Sequence, residues 1–217
     1  MKILETRPQS YDRRMDEISR ARVREMKQAV AHEIQPGARV LEIGCGTGEL
    51  AVVLVKRGAI VEGFDLSPGM VEEARKRIEA ESLQDLVNVY QMGVDGMDSL
   101  PGLAYGAIVS TLVFSELTDD ERWFALKHSF RVLKPDGLLV LADEVVPSGK
   151  YRRTLHAFMR LPILVLTYLV SRASTRPLAD LREEVTAAGF AMEKEVRSCG
   201  DTFSILVARR PVPEDAG

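Results

Sequence analysis

The chain has 217 residues, 46% hydrophobic and 28% charged, which suffices for one well-cored domain and is too short for two large ones. A formal net charge of −3 gives no overall attraction to nucleic acid. The two cysteines, Cys45 and Cys199, form no Cys-x-x-Cys pair, which argues against a disulfide framework and a cysteine-based metal site and favours a reducing cytoplasm.

Apolar runs along the chain are short. The N-terminal segment lacks the continuous apolar stretch of a secretory signal, so we expect no export. The longest run, "LPILVLTYLV" over residues 161–170, has ten residues, whereas a membrane span takes roughly 20. The sequence therefore predicts no transmembrane helix.

The first half of the chain alternates between strand and helix patterns. The pattern predicts a helix in the charged segment over residues 14–34 and a strand in "PGARVLEIG". It then predicts a helix in "GELAVVLVKRG" and a second strand in "AIVEGFDLS". The next helix is expected to begin with Ser67 as its N-cap and Pro68 at its first position.

The alternation continues, with strands predicted at 87–92, 106–112 and 138–143 and a helix at 119–133. "LADLREEVTAAGF" predicts a last helix, and "FAMEKEVRS" and "TFSILVARR" predict an antiparallel strand pair at the sheet edge. This order predicts an α/β fold, a parallel sheet with helices on both faces. We expect one domain over residues 1–210 and a flexible tail over 211–217.

The stretch "VLEIGCGTGEL", residues 40–50, runs from a strand into three glycines. Gly44, Gly46 and Gly48 allow positive φ angles and close approach of the backbone to a ligand. In open α/β sheets, ligands bind at this first strand-to-helix turn, beyond the carboxyl ends of the strands. The alternative is a tight turn that binds nothing.

An acidic residue about 20 positions after such a loop can accept hydrogen bonds from ribose hydroxyls. Asp65 lies at the end of the second predicted strand, 21 residues after Gly44. A solvated strand-end aspartate is the alternative, but the loop, strand order and spacing together favour a nucleoside site.

The loop reads GxGxG rather than the GxGxxG of dinucleotide sites, and Glu49 at the helix start would repel a diphosphate. No Lys-Ser or Lys-Thr pair follows the glycines, which excludes a P-loop. A ligand with adenosine but no phosphate fits best.

Four segments, "VLEIGCGTG", "GFDLSPGMVEEAR", "VSTLVFSEL" and "FRVLKPDGLLVLADE", resemble in order and spacing the motifs of the class I S-adenosylmethionine-dependent methyltransferases. The resemblance implies a Rossmann-like sheet of seven strands in the order 3-2-1-4-5-7-6, with strand 7 antiparallel. It also implies three contacts with S-adenosylmethionine. The loop glycines contact the methionine part of the cofactor, Glu42 contacts the amino group, and Asp65 contacts the ribose. The full set of implied cofactor contacts is Tyr11, Glu42, Gly44, Cys45, Gly46, Thr47, Gly48, Asp65, Leu66, Met70, Met92, Gly93, Val94 and Thr111.

The chain departs from the family pattern in two places. Where the family often has an acidic residue after strand three, this sequence has Gly93, with Asp95 two residues on. We therefore expect Met92, Gly93 and Val94 to hold the adenine, largely through backbone and apolar contacts. The usual Phe-Asp before strand four is Tyr105-Gly106 here.

The opening "MKILETRPQSYDRRM", "STLVFSEL" and the basic apolar segment also resemble methyltransferases associated with corrinoid proteins. This resemblance implies association with a corrinoid protein that could present the methyl acceptor, and it leaves the identity of that acceptor open. By resemblance to related enzymes, residues 1–34 form a helical lid in which Tyr11 folds over the cofactor.

Methyl transfer from a sulfonium needs the acceptor in line with the S–CH3 bond at about 3–3.5 Å, and a general base only if the acceptor must lose a proton. Asp143, Glu144 and Glu116 follow strands that end at the predicted cleft, but each can equally be a cap, a surface charge or an ion-pair partner. His156 is a single histidine in an apolar segment, and such histidines are more often packed or solvent-facing than catalytic. Cys45 is interpreted as structural, because no thiolate-stabilising neighbour is near it in sequence.

Residues 148–176 carry six Lys or Arg side chains and no acidic one around an apolar run. Three interpretations stay open: a helical cap that adds to the core, the wall of a pocket for a large apolar or anionic acceptor, and a helix that docks on anionic membranes.

The sequence thus predicts a cytoplasmic enzyme that moves a methyl group from S-adenosylmethionine to a small or medium-sized acceptor. A lipid or quinone methyltransferase at the membrane surface and a protein that binds the cofactor without turnover are the alternatives. Nucleic-acid methylation is disfavoured, because no Asn-Pro-Pro-Tyr-type motif or extended basic recognition domain is present. The oligomeric state is left open.

Overall fold

The computed structural model describes residues 20–144, 181–198 and 203–213. Several predictions fall outside these ranges: the first part of the N-terminal helix and lid with Tyr11, the basic apolar segment 148–176 with His156, and the last residues of the tail.

The described helices and strands follow the predicted order. The helices are α1 (Arg20–His32), α2 (Glu49–Lys56), α3 (Pro68–Ala80), α4 (Asp119–Val132) and α5 (Leu181–Ala187). The strands are β1 (Arg39–Ile43), β2 (Ile60–Asp65), β3 (Val87–Gln91), β4 (Tyr105–Thr111), β5 (Leu133–Glu144), β6 (Ala191–Ser198) and β7 (Phe203–Arg209). Short 3₁₀ helices cover Val94–Ser99 and Phe114–Glu116.

The strands form one sheet in the order β3-β2-β1-β4-β5-β7-β6. The strands β1 to β5 pair in parallel, and β7 is antiparallel to both β5 and β6. The predicted strand order and the antiparallel edge pair are confirmed. The carboxyl ends of β1, β2 and β4 meet at one edge of the sheet, where the predicted site residues follow the strands.

Strand β5 begins five residues earlier than predicted, at Leu133 directly after α4. Leu133 pairs with Tyr105 across a register shift. Asp136 and Gly137 exchange backbone hydrogen bonds with Arg210 beyond the end of β7. Tyr105 and Arg210 lie far from residues 133–137 in the sequence, so the local pattern gave no sign of this pairing.

Apolar side chains pack on both faces of the sheet. On β1, Val40 faces α1, α2 and α3, whereas Leu41 and Ile43 face α4 and α5. Val40, Leu41 and Ile43 are all fully buried, so apolar layers cover both faces of β1. Burial on both faces explains why neighbouring positions on these strands, such as Val40 and Leu41 on β1 and Ile108 and Val109 on β4, are both apolar.

Two helix starts position the cleft. Ser67 caps α3 by accepting a hydrogen bond from Met70 N, and Pro68 is the first helical residue, which confirms the prediction for this helix. Helix α4 begins with a capping box, in which Thr118 Oγ1 accepts from Glu121 N and Glu121 Oε2 accepts from Thr118 N at 2.8 Å.

We predict that Thr118→Ala lowers the free energy of unfolding by about 1 kcal/mol, because the first turn of α4 loses a side-chain acceptor. Urea denaturation of the full chain measures this loss. Thr118→Ser is the control and should keep most of the stability, since it retains the hydroxyl. An equal loss in both variants would contradict a role for the cap.

Candidate cofactor site

The glycine loop, residues 44–48, joins β1 to α2 at the carboxyl edge of the sheet. Its three glycines all have positive φ, +70° at Gly44, +51° at Gly46 and +75° at Gly48. This left-handed conformation strains residues with side chains, so the loop path itself requires glycine.

The surroundings of the three glycines differ. A Cβ at Gly44 would lie 2.3 Å from Val113 Cγ2, and one at Gly48 would lie 3.1 Å from Ala74 Cβ on α3. A Cβ at Gly46 would have no described atom within 4 Å. Gly44 and Gly48 thus let the protein pack on itself, whereas the bare backbone of Gly46 lies beside space that none of the described residues fills.

Asp65 ties the end of β2 to this loop. Its Oδ2 accepts a hydrogen bond from Gly46 N and its Oδ1 accepts one from Ser67 N, both at 2.9 Å. Burial raises the pKa of Asp65, and the hydrogen bonds from Ser67 and Gly46 partly offset that rise. The carboxylate therefore lies beside the open backbone of Gly46.

Glu42 lies on the central strand β1, with Gly63 and Val109 as its neighbours on β2 and β4. Its side chain is 1% exposed, and its Oε2 has no hydrogen-bond partner among the residues that the structure describes. Burial raises the pKa of Glu42, and the positive charge of Lys27 lowers it in part, so that the pKa is about 8. A buried carboxyl oxygen without a described partner, two residues before the glycine loop, suits a cationic ligand group.

Two basic side chains bind the last part of the glycine loop and the first residue of α2. Arg77 Nη1 on α3 donates to Thr47 Oγ1 at 2.9 Å, and Lys27 Nζ on α1 donates to Glu49 Oε2. Burial opposes ionisation of Glu49, but Lys27 outweighs it and lowers the pKa of Glu49. The negative charge at the start of α2 is thus paired, which weakens the sequence argument that Glu49 would repel a diphosphate. The glycine spacing still disfavours one.

The predicted adenine contacts come together beside Asp65. A Cβ at Gly93 would lie 3.3 Å from Leu66 Cδ1 and 2.3 Å from Asp95 Oδ1, so the Asp95 carboxylate folds back over the Gly93 backbone. Met92 N donates to Asp65 O at 3.0 Å, which joins the segment after β3 to the end of β2. Val94 begins the 3₁₀ helix that follows, and Met70 is buried nearby in the first turn of α3.

The loop after β4 forms the other wall. Thr111 ends the strand, and Leu112 has a positive φ of 60°, which is uncommon for leucine. Val113 then packs against Gly44. Sequence patterns missed Val113, Lys27 and Arg77, because their contacts with the glycine loop join segments 22 to 69 residues apart.

The three candidate bases are placed differently. Asp143 at the end of β5 is 1% exposed, and its Oδ2 accepts a hydrogen bond from Ser115 N at 3.1 Å. Asp143 therefore holds the loop after β4. Glu116 is exposed on that loop, and the side chain of Glu144 lies outside the described part.

Cys45 is 5% exposed and packs against Gly63. Burial raises the pKa of its thiol far above the ordinary value, so the sulfur stays protonated. This state fits the structural interpretation and is unsuited to a nucleophile.

The comparisons with known proteins agree with this geometry. A family model described as "Methyltransferase domain" matches residues 40–137. Demethylmenaquinone methyltransferase of Thermus thermophilus is 31% identical over 189 residues, which cover 80% of this chain and 83% of that protein. The chain belongs to the class I S-adenosylmethionine-dependent methyltransferases, as its sequence motifs predicted.

Other relatives share only part of their length with this chain. The "S-adenosyl-L-methionine-dependent Diels-Alderase iccD" of Talaromyces variabilis is 32% identical over 49% of this chain and 36% of that protein. The chain spans 42% and 51% of two further relatives named as methyltransferases, from Geobacillus and Oceanobacillus iheyensis.

Solved structures at lower identity share the fold. The [4+2]-cyclase SpnF has a TM-score of 0.70 at 20% identity, with 87% of this chain and 82% of that chain covered. A Burkholderia thailandensis N1-methyltransferase, solved with 1,6-didemethyltoxoflavin and S-adenosylhomocysteine, has a TM-score of 0.68 at 17% identity, covering 94% and 83%. Within the described residues, no helix is long and apolar enough to span a membrane.

We predict that Gly46→Ala weakens binding of S-adenosylhomocysteine by about tenfold or more, because its methyl group would occupy the open space beside the loop, an overpacking of about 1–3 kcal/mol. Isothermal titration calorimetry measures the affinity. Gly37→Ala is the matched control, since Gly37 also has a positive φ, +82°, and no described atom near its Cβ position.

Both alanine variants should lose similar stability, on the order of 1–2 kcal/mol from left-handed backbone strain. Only Gly46→Ala should lose affinity. Unchanged binding by a folded Gly46→Ala variant would contradict close approach of a ligand to this backbone.

We also predict that Asp65→Ala weakens S-adenosylhomocysteine binding by on the order of 1–3 kcal/mol, because the ribose hydroxyls lose a charged acceptor in an enclosed site. Asp85→Ala removes an exposed carboxylate between α3 and β3 and serves as the control. Equal calorimetric affinities of the two variants would remove Asp65 from the site.

Proposed function

We propose that the protein transfers a methyl group from S-adenosylmethionine to a small or medium-sized acceptor by direct in-line displacement. The observation that carries the proposal is the sheet edge where the bare backbone of Gly46 lies beside the Asp65 carboxylate, with the buried Glu42 two residues before the glycine loop and its Oε2 without a partner among the described residues. The bare backbone of Gly46 suits a ligand that approaches the loop closely, and Asp65 suits a ribose. Glu42 suits an ammonium group.

Each part of the cofactor has a proposed partner in this cleft. Asp65 accepts hydrogen bonds from the ribose hydroxyls, and the amino group binds at Glu42. The adenine lies against apolar side chains and backbone of the segments after β2 and β3, namely Leu66, Met70, Met92, Gly93 and Val94. Thr111, and Tyr11 from the N-terminal lid of residues 1–34, complete the proposed contacts.

When bound, S-adenosylmethionine supplies an activated methyl group on a positively charged sulfur. The task of the chain is therefore to orient the cofactor, place the acceptor and exclude water. The Asp65–Gly46 and Arg77–Thr47 hydrogen bonds fix the loop that does the orienting.

For the acceptor, we favour a small aromatic or quinol-type molecule. The support is the relative from Thermus thermophilus, named demethylmenaquinone methyltransferase, which this chain matches over four fifths of both lengths. The apolar, basic composition of residues 148–176 is compatible with a cover over such an acceptor. A corrinoid-associated acceptor has only the sequence resemblance in its favour.

A second candidate is binding of the cofactor without methyl transfer. It is favoured by two similar proteins whose names describe cycloadditions, the Talaromyces Diels-Alderase and the cyclase SpnF. In such a role the same cleft would hold the cofactor to shape an adjacent pocket.

Formation of S-adenosylhomocysteine tests the proposal. We expect it to form with a short-chain demethylmenaquinol and to depend on that acceptor, with Asp65→Ala slower and Asp85→Ala unchanged. A reduced corrinoid and an acceptor-free sample complete the panel. Tight cofactor binding without product from any member would favour the second candidate, and no cofactor binding at all would overturn both.

A further inference from the structure

Glu42 interacts electrostatically with groups that lie on different elements. Lys27 comes from α1, Asp65 from the end of β2, and the neutral thiol of Cys45 from the glycine loop. Lys27 and Asp65 act on Glu42 electrostatically, and Lys27 donates its hydrogen bond to Glu49. Glu42 thus has a nearby cation whose hydrogen bond goes to another carboxylate.

This arrangement penalises a negative charge on Glu42 in the empty cleft. Burial is the largest cause, Asp65 adds to it, and Lys27 opposes it only in part, so the pKa rises to about 8. At pH 7 the carboxyl is therefore largely protonated. A protonated carboxyl stands in the cleft as a neutral hydrogen-bonding group.

A cationic ligand group changes this balance. An ammonium group beside Glu42 favours the carboxylate, because a charge-assisted hydrogen bond is about twice as strong as a neutral one. The unpartnered Oε2 is an acceptor available for that bond. Once the bond forms, the carboxyl proton has no partner in the cleft and goes to solvent.

We infer that Glu42 couples cofactor binding to proton release, so that the amino-acid end of the cofactor binds as its ammonium form while the buried carboxyl gives up its proton. This inference rests on the proposed function, because it takes the cofactor's amino group to bind at Glu42. It makes Glu42 a proton-linked recognition residue for the amino acid part of the ligand.

The sign of the linkage follows from the proton count. The empty protein holds a proton that the complex lacks, so affinity rises with pH up to about 8, by at most tenfold per pH unit for one proton. Above that value Glu42 is already ionised, and its contribution no longer changes.

The test is calorimetry with S-adenosylhomocysteine, which does not react, at pH 7 in buffers of different ionisation enthalpy. The change of apparent enthalpy with buffer gives the proton number. We expect release of roughly half to one proton per ligand from the full chain, because Glu42 is mostly protonated when empty and ionised when bound. Release should disappear by pH 9.

Two controls separate Glu42 from its neighbours. Glu42→Gln should bind more weakly and release no proton, whereas Asp65→Asn should bind more weakly and still release one. 5′-Methylthioadenosine, which lacks the amino acid part, should bind without proton release. Release that persists in Glu42→Gln, or that vanishes only in Asp65→Asn, would overturn the inference.

Failure of the inference is distinguishable from failure of the proposed function. Binding of S-adenosylhomocysteine with no net proton change overturns only the coupling, whereas no binding of either ligand overturns the cofactor site. If Glu42→Gln does not fold, the pH dependence and the 5′-methylthioadenosine comparison in the native chain decide the question.

Stability of the empty protein gives a readout that does not need a ligand. The pKa of Glu42 is raised in the folded state, so its favourable contribution is complete below the unfolded pKa near 4.5 and is lost as pH rises towards 8. As the pH is raised from 5 to 8, the melting temperature of Glu42→Gln should therefore increase relative to that of the native chain. A constant difference over this range would contradict the raised pKa on which the coupling depends.

Discussion

The hydrogen bond from the Gly46 amide to the Asp65 carboxylate joins the ends of the first two parallel strands, and the cleft depends on it. Neighbouring parallel strands bring their carboxyl ends to one edge, but they leave the loops beyond them free to take many paths. Asp65 fixes that path with hydrogen bonds to Gly46 and Ser67, one to each flanking loop. The same carboxylate is then positioned beside the most open backbone in the loop.

The cleft combines a closely packed loop with a buried carboxyl group, Glu42, whose hydrogen-bonding capacity is not fully used when no ligand is bound. Val113 against Gly44 and Ala74 against Gly48 pack the frame closely, so the loop has little room to shift. Glu42, in contrast, is buried with an oxygen that finds no partner in the described part of the chain. Such an unsatisfied group destabilises the empty protein, and a ligand group that pairs with it relieves that cost, so Glu42 bears on both binding and stability.

The charged groups around the loop come from five elements, namely α1, α2, α3, β1 and β2. Lys27 pairs with Glu49, Arg77 holds Thr47, and Asp65 is stabilised by backbone amides. This pairing leaves Glu42 as the carboxyl with the strongly raised pKa among these groups. An ammonium group brought by a ligand therefore has its largest effect at Glu42, and a proton change is the expected signature.

The sequence by itself determined the strand order, the glycine loop and the Asp65 spacing, because hydrophobic periodicity and local turn chemistry act over a few residues. It also determined the family and so the cofactor, through four motifs in order. Only the tertiary structure decided that Gly44 and Gly48 serve internal packing, that Lys27 neutralises Glu49, and that Asp143 holds the loop at Ser115. These contacts join residues 22 to 69 positions apart, and whether a buried carboxyl finds a partner is a property of the packed molecule rather than of any local pattern.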